Sequence, residues 1–132
     1  MKKVITSDKI YIDQSEILGA GRGVYARCDI RKNEIIERCP VIEVPKHDMA
    51  NLKESILVTY FFYLGKRKDK LIIALGFGSI YNHSRQPNAV FKAKFRQKIL
   101  EFIASKAIKK DEEITVNYNY SDQSNITPLW FE

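Results

Sequence analysis

Gly76-Phe77-Gly78-Ser79-Ile80-Tyr81-Asn82-His83-Ser84-Arg85-Gln86-Pro87-Asn88 is the most unusual stretch of this 132-residue chain. An apolar run passes without a linker into side chains that both donate and accept hydrogen bonds. Such groups satisfy buried backbone or the polar edge of a ligand. A Ser-His hydrolase does not follow from it, because Ser84 adjoins His83 and no G-x-S-x-G elbow is present. Read alone, His83 is more often a structural histidine than a catalytic one.

Upstream of this stretch the pattern is short apolar runs rich in Ile, Val, Tyr and Phe, broken by Gly, Pro, Asn and charged turns, which reads as many short strands. Ile10–Ile12 and Val24–Ala26 are strand candidates on either side of a glycine-rich turn, Gly19-Ala20-Gly21-Arg22-Gly23. Ile35-Ile36 and Val41–Val44 flank Cys39-Pro40, and Pro45 stops the run, since proline has no N–H for a ladder. Asp48–Ser55 is the best helix candidate, with Asp48 as its cap. Ile56–Leu64 either continues it or forms a buried strand. Lys66–Lys70 is a charged turn, and Leu71–Leu75 the next apolar run.

Downstream, Phe91, Ala93 and Phe95 alternate with Lys92, Lys94 and Arg96, Gln97-Lys98 turns the chain, and Ile99–Ile103 returns: a hairpin with one face buried and one solvated. The polar turn Lys109–Glu112 leads into a strand, Ile114–Tyr118. Tyr120 shares a face with Tyr118 if that strand continues. The fold class is therefore mainly β with short helices, and strands without regular crossover helices argue against a doubly wound sheet.

Bulk properties set the frame. One domain is expected from the length. The 22 Lys plus Arg against 16 Asp plus Glu give +6, which favours acidic partners or a generally basic surface. Cys28 and Cys39 are too few for a disulfide framework, and two histidines spell no zinc site, so no metal is expected. Lys2-Lys3 is not followed by an apolar segment, and nothing approaches the length of a membrane span. The expectation is a soluble intracellular protein, cytoplasmic or nuclear, with no membrane partner. Lys66–Lys68 and Lys92, Lys94 and Arg96 read as solvated charged faces, with Phe91 and Phe95 assigned to the opposite, buried face of the hairpin, so direct nucleic-acid binding is not expected.

Each motif is modest by itself. The G-x-G-x-G run at Gly19–Gly23 reads alone as a tight turn without a ligand, and it also resembles the glycine run of Rossmann-type methyltransferases. Tyr118 reads alone as a core or rim tyrosine. Their order is more specific. Gly19–Ala26, then Tyr81-Asn82-His83-Ser84 with Pro87-Asn88, then Asp111–Tyr118 resembles the SET domain, over roughly Leu18 to Tyr118. The family often has Gly where Asp111 stands and Asp where Asn117 stands. No cysteine follows Cys39, so the chain is similar to the compact bacterial and viral members without zinc-binding flanks.

The resemblance implies a single SET domain over residues 1–132: small β-sheets with a C-terminal pseudoknot in which Asn82-His83 threads against the C-terminal segment. It implies S-adenosylmethionine as cofactor and a protein lysine, on a histone or another basic protein, as methyl acceptor. Tyr118 would be catalytic. Gly21, Arg22, Gly23, Asn82, His83, Tyr118 and Trp130 would bind the cofactor, with 119–132 as an aromatic closing segment in which Trp130 or Phe131 covers the site. Tyr60, Tyr81, Phe91 and Tyr120 are the candidates for lining the lysine channel. A homodimer would complete a substrate groove. The alternative is a non-catalytic module of the same fold that binds protein or nucleic acid.

Overall fold

A computed structural model of the chain describes residues 3–64 and 70–118. Nine strands lie among them: β1 Ile10–Gln14, β2 Arg22–Ala26, β3 Ile35–Val44, β4 Phe61–Leu64, β5 Lys70–Ala74, β6 Asn82–His83, β7 Ala89–Lys94, β8 Ile99–Ala104 and β9 Glu113–Val116. One short helix, α1 (Met49–Lys53), sits between 3-10 turns at Lys46–Asp48 and Ile56–Thr59. A four-stranded sheet runs β1-β2-β9-β6 and a five-stranded sheet runs β4-β5-β3-β8-β7.

The helix forms where the sequence places it, but Asp48 does not cap it. Its backbone is already helical (φ −95°, ψ −7°), and its side chain makes no capping bond. Ser55 is the residue that caps: its hydroxyl accepts from the Leu57 N–H at 3.1 Å and starts the 56–59 turn. Ile56–Leu64 therefore does not continue the helix, which ends at Lys53; it forms a separate 3-10 turn and then β4.

The two apolar runs around Cys39-Pro40 are one strand. Residues 35–40 of β3 pair with β8 and residues 41–44 with β5, so β3 changes partner at the proline. Pro40 accepts from the Leu75 N–H at 2.9 Å and has no N–H to return. The missing donor ends the β3–β5 ladder there.

In the β7–β8 hairpin Phe95–Gln97 forms a 3-10 turn and Lys98 takes the left-handed conformation at φ 55°. The solvated face expected of this hairpin belongs to β7. In β8 every residue but Ile103 is buried, including Glu101, which is held by the Arg38 Nε at 3.0 Å and the Lys94 Nζ at 3.3 Å. A buried carboxylate is tolerated when paired in this way.

The two sheets are joined by a pair of antiparallel connecting segments. Val24 pairs with Ile114, Ile30 with Ile108 through one isolated bridge and Ile35 with Ile103, so residues 24–35 run back beside 103–114, with bends and turns between the paired points. Ile30 and Ile108, each 1% exposed, plug the interior side of these segments. Beneath them the core continues through Val24, Ile36, Leu100, Phe102, Ile114 and Val116.

β9 then enters between two earlier strands. It pairs antiparallel with β2 and parallel with β6, through Asn82↔Thr115 and His83↔Val116. The expected threading of Asn82-His83 against the C-terminal segment is this pairing. The strand expected over Ile114–Tyr118 stops at Val116, so Asn117 and Tyr118 leave the sheet and turn towards the cleft.

Candidate active site

Where β6 and β9 lie side by side, the turn between β1 and β2 folds over their ends. The result is a cleft of about 540 Å³, lined by Ile17–Ala20 and Arg22 of that turn, Tyr60, Ser79, Ile80, Asn82–Arg85 and Tyr118. The turn has to be glycine-rich. Gly19 and Gly21 adopt φ 79° and 76°, a region that favours glycine, and a Cβ on either would meet nothing within 4 Å. Gly23 is needed for a different reason: a Cβ there would lie 2.4 Å from the Glu113 carboxylate and 3.0 Å from the Asn82 amide.

Glu113 is the fastener of this corner. It accepts from the Ser15 hydroxyl at 2.8 Å and the Asn82 amide at 2.8 Å, and the same amide reaches the Arg22 carbonyl at 2.9 Å. β1, β2, β6 and β9 are thereby tied through one carboxylate. Asn88 fastens the next turn, donating to Glu112 at 2.9 Å and the Glu113 carbonyl at 2.8 Å, and accepting from the Thr115 N–H at 2.9 Å. The sequence marked both residues as parts of motifs without showing that they hold the crossing together.

Tyr118 forms one wall of the cleft. Its N–H donates to His83 Nδ1 at 3.0 Å, which places the proton of a neutral imidazole on Nε2. Its hydroxyl donates to the Tyr81 carbonyl, and its ring lies edge-on to Phe62 at 6.5 Å. Burial, and after it the neighbouring Tyr60 and Glu113, push the Tyr118 phenol well above its usual range. The group is a neutral hydroxyl at physiological pH.

The channel candidates divide. Tyr60 lines the cleft. Tyr81 does not: its side chain is 1% exposed, its ring stacks on Phe102 at 4.0 Å, and its hydroxyl donates to the buried Glu37 at 2.8 Å. Only its main-chain carbonyl serves the site. The reason is alternation: Tyr81 precedes β6, and with Asn82 facing the turn its neighbour must face the core. Phe91 packs on Phe62 and Phe102, behind the cleft wall. Gly21 and Gly23 shape the turn, whereas Gly19, Ala20 and Arg22 are the residues that line it. Tyr120, Trp130 and Phe131 lie outside the described residues, as does the proposed closing segment 119–132. Among the described residues no group of histidine, cysteine, aspartate and glutamate is arranged to hold a metal ion.

Comparison with known proteins fits this geometry. The SET-domain family model matches residues 21–119. The chain belongs to the SET-domain family. Its curated relatives include the Schizosaccharomyces pombe histone-lysine N-methyltransferase specific for H3 lysine-37, 30% identical over 112 residues, spanning 85% of this chain and 71% of the relative. Among solved structures, a candidate histone methyltransferase of Plasmodium falciparum superposes with a TM-score of 0.70 at 36% identity, covering 89% of this chain and 98% of the other. A Chaetomium thermophilum polycomb repressive complex 2, in an autoinhibited conformation bound to S-adenosylmethionine, superposes with a TM-score of 0.68 at 21% identity. That likeness covers 91% of this chain but 16% of the other, and is one of fold. This SET domain is a protein lysine methyltransferase, and SET methyltransferases use S-adenosylmethionine. No helix of the described residues is long and apolar enough to cross a membrane.

Proposed function

We propose that this SET domain methylates the side-chain amine of a lysine in a basic protein substrate, a histone or a protein of similar charge, with Tyr118 as its catalytic residue. The observation that carries the assignment is the double anchorage of Tyr118 in the cleft, by the His83 imidazole through its backbone and by the Tyr81 carbonyl through its hydroxyl.

The cleft fits the cofactor. Its 540 Å³ lies within the ~300–1,000 Å³ of small-molecule sites. The open backbone at Gly19 allows close approach, and Arg22 offers a cation to a carboxylate. Main chain of Gly19–Arg22 and of Asn82–Ser84, with Arg22, would hold it, and Trp130 would close it. When bound, S-adenosylmethionine supplies an electrophilic methyl group on a sulfonium.

The residues of the chain then have two tasks. The acceptor amine must be neutral, and a free lysine of pKa ~10.4 is neutral about once in a thousand near pH 7.4. A dry channel beside Tyr60 and Tyr118 disfavours its charged form. The amine must also be aligned for attack, and an immobilised neutral hydroxyl at Tyr118 does that at no cost in charge burial.

Tyr118→Phe should keep the fold and bind S-adenosylhomocysteine with unchanged affinity in a calorimetric titration. Its turnover on a good substrate should fall about 10²-fold, the order lost with one preorganised polar group at a reacting centre. Full activity by mass spectrometry would remove Tyr118 from the mechanism.

A further inference from the structure

The turn that roofs the cleft has little footing of its own. Residues 16–22 bury no side chain: Leu18 is 101% exposed, Ile17 40%, and only Ala20 is partly covered. The hydrogen bonds inside the turn are local, from the Ser15 N–H to the Gly21 carbonyl at 2.7 Å and from the Ala20 N–H to the Ile17 carbonyl at 3.1 Å. They set its shape but not its place beside β6. A segment with so few buried apolar contacts opens at low cost unless something outside holds it.

Among the described residues, two hydrogen-bonded ties run from residues 15–22 to elements beyond the β1–β2 hairpin. At the exit, the Arg22 carbonyl accepts from the Asn82 amide at 2.9 Å, and that amide also donates to the Glu113 carboxylate at 2.8 Å. This end is backed by the pairing of β2 with β9. At the entry there is a single hydroxyl. Ser15 Oγ donates to the other Glu113 oxygen at 2.8 Å and accepts from the Ile17 N–H at 3.0 Å. The Tyr25 hydroxyl reaches the Gln14 carbonyl at 2.7 Å, but Tyr25 belongs to β2 and moves with the hairpin.

We infer that Ser15 is a positioning residue for the cofactor, holding the glycine turn over the cleft through Glu113. The inference rests on reading the cleft as the cofactor site and is independent of the role given to Tyr118. Ser15 does not line the cleft; it acts through Ile17–Ala20, which do. Its hydroxyl bridges a backbone donor of the turn to a charged acceptor on β9, and hydrogen bonds to an ionised acceptor are the stronger kind. Removing the hydroxyl releases both contacts at once. The turn then leaves the cleft for part of the time, and apparent affinity falls by the fraction that remains in place.

The test is calorimetric titration of the full chain with S-adenosylhomocysteine, wild type against Ser15→Ala. Affinity should fall about tenfold, as for a turn in place about a tenth of the time. On a good substrate KM for S-adenosylmethionine should rise by a similar factor with kcat unchanged, the pattern of lost binding that leaves the chemical step alone. Ser15→Thr keeps the hydroxyl and should bind as the wild type does. Ser15 and Glu113 are both only half-buried, so water can replace the lost partner and the urea midpoint of Ser15→Ala should not move. In the free protein the Ala20 amide should exchange with solvent faster in Ser15→Ala, a readout that needs no ligand. If hydroxyl and carboxylate act as one unit, Ser15→Ala/Glu113→Gln should bind no more weakly than Glu113→Gln alone. Equal affinity of wild type and Ser15→Ala, a loss confined to kcat, or no recovery in Ser15→Thr would overturn the inference while leaving the cofactor site intact. Absence of binding by folded wild-type protein would overturn the reading of the cleft and this inference with it.

Discussion

Tyr81 donates its hydroxyl to Glu37 and offers its main-chain carbonyl to the hydroxyl of Tyr118. Glu37 is itself fixed, since its other oxygen accepts from the Phe77 N–H at 3.0 Å and fills the space left by the absent side chain of Gly76. A buried carboxylate, a stacked ring and a peptide carbonyl thus form a strut ending at the residue placed at the reacting centre. Tyr81→Phe would leave one Glu37 oxygen without its donor, at a cost of about 1–3 kcal/mol, and would loosen the carbonyl. Turnover should fall several-fold, while affinity for S-adenosylhomocysteine stays the same. The decisive measurement is the double variant: if Tyr81 acts through Tyr118, Tyr81→Phe/Tyr118→Phe is no slower than Tyr118→Phe alone. Losses that multiply would mean that Tyr81 contributes independently of Tyr118.

At the level of elements, the crossing of β6 and β9 depends on Asn88. Its one side chain satisfies two acceptors and a donor, and at 6% exposure water cannot replace it. Asn88→Ala should cost about 3 kcal/mol, read as a lower urea midpoint at constant m-value. Asn88→Asp should be no better, because it sets a carboxylate against Glu112. This crossing also marks how far the sequence could be read. Strands, the glycine turn, the Asn82-His83 segment and Tyr118 follow from alternation, turn chemistry and motif order. The parallel pairing of a two-residue strand with the end of the chain does not, since no periodicity reports which strand lies between which. Asp111 was a departure from the family pattern, and its φ of 69° explains why glycine is common there. Tyr81 looked like a site residue because it adjoins Asn82, but adjacent side chains in extended backbone face opposite ways.

For the molecule as a whole, ionisation sets the pH range of stability. On the acid side, Glu34 is held below its usual range by its bond to Lys9 and then by the Arg31 N–H. It therefore favours the folded state above the usual carboxylate range, and that support is lost as pH falls through its lowered value. The pair is partly exposed and small in effect. The alkaline side is steeper. Burial, followed by the Glu37 charge, drives the Tyr81 phenol far upward, and burial does the same to Tyr118. Tyr11, through its bond to Asp111, and Tyr25 are also raised, but they lie near the surface. Both buried phenols bind their protons more tightly folded than unfolded, so the stability they give is complete below about pH 10, the value in an unfolded chain. It is lost as pH rises beyond that point, because the unfolded chain releases protons that the folded one retains. Phenolate absorbance followed against far-ultraviolet circular dichroism should show the surface tyrosines ionising in folded protein. A second rise should coincide with unfolding, and it should shrink by one tyrosine in Tyr118→Phe. Full ionisation of all described tyrosines before the circular dichroism changes would mean that Tyr81 and Tyr118 are reached by solvent in the folded state, and would remove the dry wall on which the proposed catalytic role of Tyr118 depends.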